Sequence, residues 1–227
     1  MEFTIKPIAH IENDFRSKFG IPRQSGLSPL RSVIVFEDEF YSAPALRGLE
    51  DYSHIWLIWC FSAHTDRTWS PTVRPPRLGG NKRIGVFATR SPFRPNPLGL
   101  SSVKIEEITE DQNGRLSIVV TGADLLDGTP IFDIKPYISM DCHPDAICGF
   151  QEDTRNYSIR VKFPPALLKL IPADKQDGLL SILEQDPRPS YHDDPQRIYG
   201  IRFSDYDIRF QVADRLLQVI SVEIVNQ

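Results

Sequence analysis

The sequence predicts a mainly β protein, a barrel or sandwich of short strands carrying a small α+β appendage, and three observations point there. Up to about residue 138 the chain falls into short runs rich in Val, Ile and Phe, bounded by Gly, Pro, Asn and Asp. No long helical pattern separates those runs, which argues against a doubly wound sheet. Beyond about residue 146 apolar residues first recur at helical spacing and then return to alternation.

The expected strands, in order, cover residues 3–8, 32–36, 53–61, 83–88, 103–108, 115–122 and 131–134. The run SHIWLIWCF at 53–61 is apolar on both faces, as a strand covered on both sides would be. Between the fifth and sixth runs, Asp111-Gln112-Asn113-Gly114 is a hairpin turn, because Asn-Gly tolerates the positive φ such turns need. A second turn is LLDGTP at 125–130. Residues 164–185 predict two short helices around Pro172-Ala173-Asp174, stopped by Asp186-Pro187-Arg188-Pro189. Residues 197–203, 206–212 and 216–224 then form a three-stranded meander. The expected division is a domain over 1–145 and a small α+β domain over 146–227.

The charge is unevenly placed. Residues 67–104 hold eight Lys or Arg and no Asp or Glu, whereas the rest of the chain holds 18 basic and all 30 acidic side chains. A chain of net charge −4 is thus +8 in one segment and −12 elsewhere. Clustered cations repel one another, so the segment reads as a surface for phosphates. It is also rich in proline, which holds its backbone in fixed shapes.

Several classes are excluded or left without support. The longest apolar run, 54–61, is too short to cross a bilayer, and the N-terminus carries acids and no run of signal-peptide length. A cytoplasmic protein with no membrane contact is expected. Cys60, Cys142 and Cys148 fit no common zinc spacing, so no metal and no disulfide is expected. There is no G-x-G-x-x-G after a strand, no P-loop, no G-x-S-x-G and no H-E-x-x-H.

Several long motifs lie in one order along the chain: IPRQ at 21–24, RGLE at 47–50, SHIW at 53–56, residues 71–104, DGTPIFDIKPY at 127–137 and DPRPSY at 186–191. Together they resemble the TsaA-like (TrmO) family of tRNA methyltransferases. The resemblance implies a compact single-sheet β-barrel that uses S-adenosylmethionine and works as a homodimer. It also implies a substrate, the threonylcarbamoyladenosine beside the anticodon of threonine tRNAs, methylated at N6 within the anticodon stem-loop.

Carried over residue by residue, the cofactor-binding positions are Pro22, Arg23 and Gln24, then Ser62 and Ala63, then Arg90 and Leu100, and finally Leu126, Asp127, Gly128, Thr129 and Pro130. Gln24 offers an amide for an adenine edge, and Arg23 suits a carboxylate. Leu100 is either an apolar wall of the pocket or a plain core leucine. Prolines at 92, 95 and 97 stiffen the loop that displays Arg90 and Arg94. At Ser62-Ala63 many relatives carry a histidine and an amide residue, so backbone contact, or His64, must serve here instead.

The acceptor is a ureido nitrogen with a delocalised lone pair, so catalysis calls for alignment and for a group that holds or removes its proton. Asp133, Lys135 and Tyr137 alternate along one strand and share a face. Asp133 or Tyr137 is the expected positioning group, with Lys135 on a substrate carboxylate; a structural Asp133–Lys135 pair is the alternative. Arg67, Arg74, Arg77, Lys82, Arg83 and Arg94 are the expected tRNA contacts, with Arg188, Tyr191 and His192 of the appendage as further candidates. The competing readings are a non-catalytic RNA-binding barrel and a methyltransferase of the same fold with another acceptor.

Overall fold

Six strands, several of them paired with partners distant in sequence, close the N-terminal half into a ring. The computed structural model describes residues 2–64, 68–75, 78, 82–154, 157–188 and 194–225. In chain order the strands of this half are β1 (Ala9–Glu12), β2 (Arg31–Phe36), β3 (His54–Cys60), β4 (Thr72–Val73), β5 (Ile84–Gly85), β6 (Leu98–Glu110), β7 (Leu116–Thr121) and β8 (Pro130–Pro136), with a one-turn helix α1 (Ala43–Leu46) before β3. The six longer ones pair in the cycle β1-β2-β7-β6-β3-β8, and β8 pairs back onto β1 through Ala9–Ile131 and His10–Pro130. Every partnership in the ring is antiparallel.

Inside the ring lie Ile11, Ile34, Ile55, Leu57, Val103, Ile118, Val120, Leu125 and Ile131, all buried. Burying side chains of this size contributes about 1.5–3 kcal/mol each. On β3 the inward residues are Ile55, Leu57 and Trp59, while the outward ones, among them Trp56, Ile58 and Cys60, are half-buried. The run at 53–61 is therefore fully covered on one face only.

The C-terminal half adds β9 (Arg160–Lys162), α2 (Pro165–Leu168), α3 (Ala173–Glu184), β10 (Tyr199–Phe203), β11 (Tyr206–Ala213) and β12 (Leu216–Ile224). The expected meander is present as β10-β11-β12, and β9 extends it as a fourth, parallel strand on β12. Its core of Ile171, Leu179, Ile182, Ile201, Phe203, Ile208 and Phe210 also takes in Phe15 and Leu30 from the N-terminal half. A bridge between Phe15 and Phe203, and Lys175 Nζ donating to Asp14 Oδ1 at 2.6 Å, join the same regions.

Two expected strands are corrected. Residues 3–8 form no strand; Phe3 and Ile5 stand exposed, and backbone pairing begins at Ile8, whose N–H donates to Ile131 O at 2.8 Å and whose carbonyl accepts from Glu37 N at 2.9 Å. At 83–88 only Ile84–Gly85 is a strand, paired with β4, and Val86–Ala88 winds into a 3-10 turn.

Candidate functional site

Because neighbouring strands run antiparallel, β1, β3 and β7 finish at the end of the ring where β2, β6 and β8 begin. The segments 13–30, 61–97 and 122–129 all emerge there. This brings together stretches that are far apart in sequence, and most of the expected cofactor positions lie on them.

Hydrogen bonds between these segments fix their arrangement. Phe61 N donates to Pro97 O at 2.8 Å, and Lys18 Nζ donates to Ala63 O at 2.7 Å. Gly26 N donates to Gly122 O at 2.8 Å. Gly122 has φ +83°, and a Cβ there would meet the backbone of Gly26 at 3.1 Å, so this crossing requires glycine. Asp124 follows at once. Its Oδ1 accepts from Ser101 Oγ, which in turn accepts from Trp59 Nε1 at 3.0 Å. Burial pushes the Asp124 carboxyl above the ordinary carboxylate range, against the opposing pull of the Ser101 hydrogen bond.

The turn that carries Leu126, Asp127, Gly128, Thr129 and Pro130 is tied to the first segment. Asp127 Oδ1 accepts from Asn13 N at 2.8 Å, and Oδ2 pairs with Arg16. Gly128 N donates to Ile11 O at 2.8 Å, and Thr129 is buried. Both Asp127 oxygens thus shape the turn. Pro22 is buried. Arg23 reaches towards the C-terminal half, donating to Tyr157 O at 3.3 Å beside a groove of about 320 Å³ lined by Leu27, Tyr157, Ser181 and Gln185. Burial lowers its pKa below the ordinary guanidinium value. Gln24 is half-buried, and Arg90 is exposed.

Leu100 is 52% exposed, which removes the core-leucine alternative. It sits on the outer face of β6 opposite Ile58, and Ile58 in turn lies opposite Asp133 on β8. Adjacent strands lie about 4.8 Å apart, so Asp133 is roughly 10 Å from Leu100 along one row. Asp133, Lys135 and Tyr137 belong to this face. Lys135 Nζ lies 2.8 Å from Asp133 Oδ2, and the Tyr137 ring packs on Trp56 with centroids 5.4 Å apart.

Of the expected tRNA contacts, Arg74, Lys82 and Arg83 are exposed, and Arg83 also donates to Thr72 Oγ1. Arg94 is largely committed: it donates to Thr89 O at 2.7 Å and Val86 O at 3.1 Å, and lies over the Phe87 ring. Arg188 is nearly buried and paired with Asp186 at 2.9 Å. Arg67, Arg77, Tyr191 and His192 lie outside the described residues. Sequence reasoning missed Trp69 and Phe87, which stand 49% and 74% exposed within the cationic segment. Among the described residues no group of His, Cys, Asp and Glu is arranged to hold a metal ion, and no helix is long and apolar enough to cross a membrane.

Residues 10–142 match the model of the tRNA-methyltransferase O N-terminal domain, and residues 156–225 match that of the TrmO C-terminal domain. The chain belongs to the TrmO family. A "tRNA (adenine(37)-N6)-methyltransferase" of Escherichia coli is 36% identical over 97% of this chain and 98% of its own. A "putative S-adenosylmethionine-dependent methyltransferase" of Pseudomonas aeruginosa is 37% identical over 98% of both chains. The crystal structure of TrmO from Pseudomonas aeruginosa superposes with a TM-score of 0.75 at 32% identity, covering 98% of this chain and all of that one.

Proposed function

We propose that this TrmO-family protein is an S-adenosylmethionine-dependent methyltransferase acting at N6 of the adenosine beside the anticodon in tRNA, its acceptor being the threonylcarbamoyl-modified base of threonine tRNAs. The observation that carries the reading is the convergence of residues 22–24, 62–63, 90 and 126–130 at one end of the strand ring. The closed ring is proposed as a β-barrel donor scaffold over 1–145, with 146–227 as the second domain.

The residues present fit the donor chemically. A methionine carboxylate suits the exposed guanidinium of Arg90, an adenine edge suits the Gln24 amide, and apolar surface comes from the exposed Leu98 and Leu100. Pro22, Arg23, Ser62, Ala63, Leu126, Asp127, Gly128, Thr129 and Pro130 contribute mainly through the shape of their loops, since Arg23 and Asp127 direct their charged groups to internal partners. When bound, the donor supplies an electrophilic methyl group on a sulfonium. The protein's task is then alignment, exclusion of water and control of the acceptor proton. In this reading Asp133 accepts a hydrogen bond from the acceptor N–H, and Lys135 exchanges its pairing with Asp133 for a substrate carboxylate.

Arg74, Lys82 and Arg83 hold tRNA phosphates, and Trp69 and Phe87 offer ring faces for splayed loop bases. The half-exposed apolar outer face carrying Trp56, Ile58, Leu98 and Leu100 supports a homodimer. Calorimetric titration with S-adenosylmethionine tests the donor site: saturable binding that Arg90→Ala weakens at least about tenfold is expected. Wild-type protein that binds no donor would remove the methyltransferase reading.

A further inference from the structure

Gln185 stands just before the DPRPSY stretch and belongs to none of the family motifs, yet it ties the C-terminal half to the loop carrying Pro22, Arg23 and Gln24. It follows α3 directly, and its backbone N–H closes the helix on Ile182 O at 3.1 Å. Its side-chain Nε2 donates to Ser181 O at 3.0 Å, one of the carbonyls that a helix end leaves without an intrahelical partner. From that anchor the same amide reaches the loop at two points. Nε2 donates to Leu27 O and Oε1 accepts from Arg23 N, each at 3.3 Å. A backbone N–H only donates and a carbonyl only accepts, so these partners admit one orientation of the amide. The helix behind it is a fixed platform. Leu179, Ile182 and Leu183 are buried in the C-terminal core, and a Cβ on Gly178 would meet Leu30 at 2.2 Å. Lys175 of the same helix donates to Asp14, so the platform holds the segment on either side of the loop.

We infer that Gln185 is a positioning residue of the donor site: by holding the backbone at Arg23 and Leu27 it brackets Gln24, and presents the Gln24 amide to the donor in one arrangement. The inference rests on the methyl-transfer reading above. It gives the C-terminal domain a part in donor binding that is exerted through the loop. A loop held in advance has less freedom left to lose on association, so its tether is read in affinity. Hydrogen bonds between neutral groups add only modestly to folding, so their removal loosens the loop and leaves the domain folded.

The test uses the full-length protein in six forms: wild type, Gln185→Met, Gln185→Ala, Gln24→Ala, the Gln185→Met/Gln24→Ala double variant and Ile208→Val. Met keeps the length and helix propensity of Gln without its amide. Ala repeats the deletion with a smaller side chain, so either variant that folds decides the outcome. Ile208 is fully buried on the central strand of the C-terminal sheet, and Ile208→Val destabilises that domain without touching the amide. Each form is melted, titrated with S-adenosylmethionine by calorimetry and assayed for methyl transfer to tRNA. The Gln185 variants are expected to weaken donor binding about fivefold. Their KM for the donor rises by the same factor, while their KM for tRNA stays within about twofold. In the Gln24→Ala background Gln185→Met should add no further loss. Ile208→Val should lower the melting temperature at least as far, yet leave donor binding within about twofold of wild type. Unchanged donor binding in a folded Gln185 variant overturns the inference, as does a loss that adds fully to that of Gln24→Ala. A KM for tRNA that rises as much as that for the donor would assign Gln185 to tRNA docking, with the same result. An equal loss of donor binding in Ile208→Val would assign the effect to general destabilisation and also overturns it. Wild-type protein that binds no donor removes the inference and the reading beneath it together, whereas normal wild-type binding with unaffected Gln185 variants removes the inference alone.

Discussion

Close packing around Trp59 makes single atoms matter at the ring's open end. Gly99 pairs with Trp59 across β3 and β6, and a Cβ on Gly99 would come within 2.2 Å of the indole. Gly99→Ala is therefore expected to destabilise the protein by about 1–3 kcal/mol, as overpacking does, and to displace the Trp59–Ser101–Asp124 relay. Urea unfolding with an unchanged midpoint would contradict this. Asp124 adds a pH dependence. Its folded carboxyl titrates above the ordinary range because of burial, so the unfolded chain ionises first as pH rises. The stability it contributes is full below its unfolded pKa, about 3.9, and is lost as pH rises through the folded value. The melting-temperature difference between Asp124→Asn and wild type should accordingly grow from about pH 4 to neutrality, and a shrinking difference would contradict the account. At this scale the sequence was only partly legible. Residue types in motifs pointed to loops that converge at one end of the ring, but not to which charged groups those loops consume internally. Arg94 donates to carbonyls created by the turn at Val86–Ala88, and Asp127 closes on Asn13 and Arg16 more than a hundred residues away. Neither interaction leaves a mark in local pattern, and the same is true of Asp124.

Elements were more legible where their partners lie nearby. β2, β3 and β7 follow short apolar runs bounded by turn residues, the β10-β11-β12 meander follows alternation, and the two helices follow apolar spacing. Residues 3–8 alternate equally well and form no strand, because alternation does not supply a neighbour to pair with. β9 is three residues long and pairs in parallel with β12, a non-local partnership without a hairpin signal. The cationic segment was legible from charge alone, and the structure adds that Arg74, Lys82 and Arg83 face solvent with Trp69 and Phe87 among them. Replacing Lys82 or Arg83 with Ala should weaken tRNA binding and reduce the slope of log K against log salt by about 0.7 for each phosphate no longer neutralised. Phe87→Ala should weaken binding by about 1–3 kcal/mol with the salt slope unchanged, since stacking releases no counterions. Equal slopes in all three variants would contradict the phosphate role.

Across the whole molecule the two halves share a core. Phe15 and Leu30 lie within the C-terminal cluster, and a Cβ on Gly178 of α3 would overlap Leu30 at 2.2 Å. Phe15→Ala should therefore cost about 3–5 kcal/mol and lower the melting of both halves in one transition. Two separate transitions, only one of them shifted, would show that the halves fold independently. This coupling sets the loop at 13–30 between the ring's open end and the C-terminal domain, which connects the proposed donor site to the second domain. The central claim is methyl transfer to a modified adenosine in tRNA. Its most direct test supplies the purified protein with labelled S-adenosylmethionine and tRNA from cells that make threonylcarbamoyladenosine or lack it. The account predicts label only in the modified pool, recovered at N6 of that nucleoside. Label entering both pools equally would contradict the assigned acceptor, and label entering neither would contradict the activity itself.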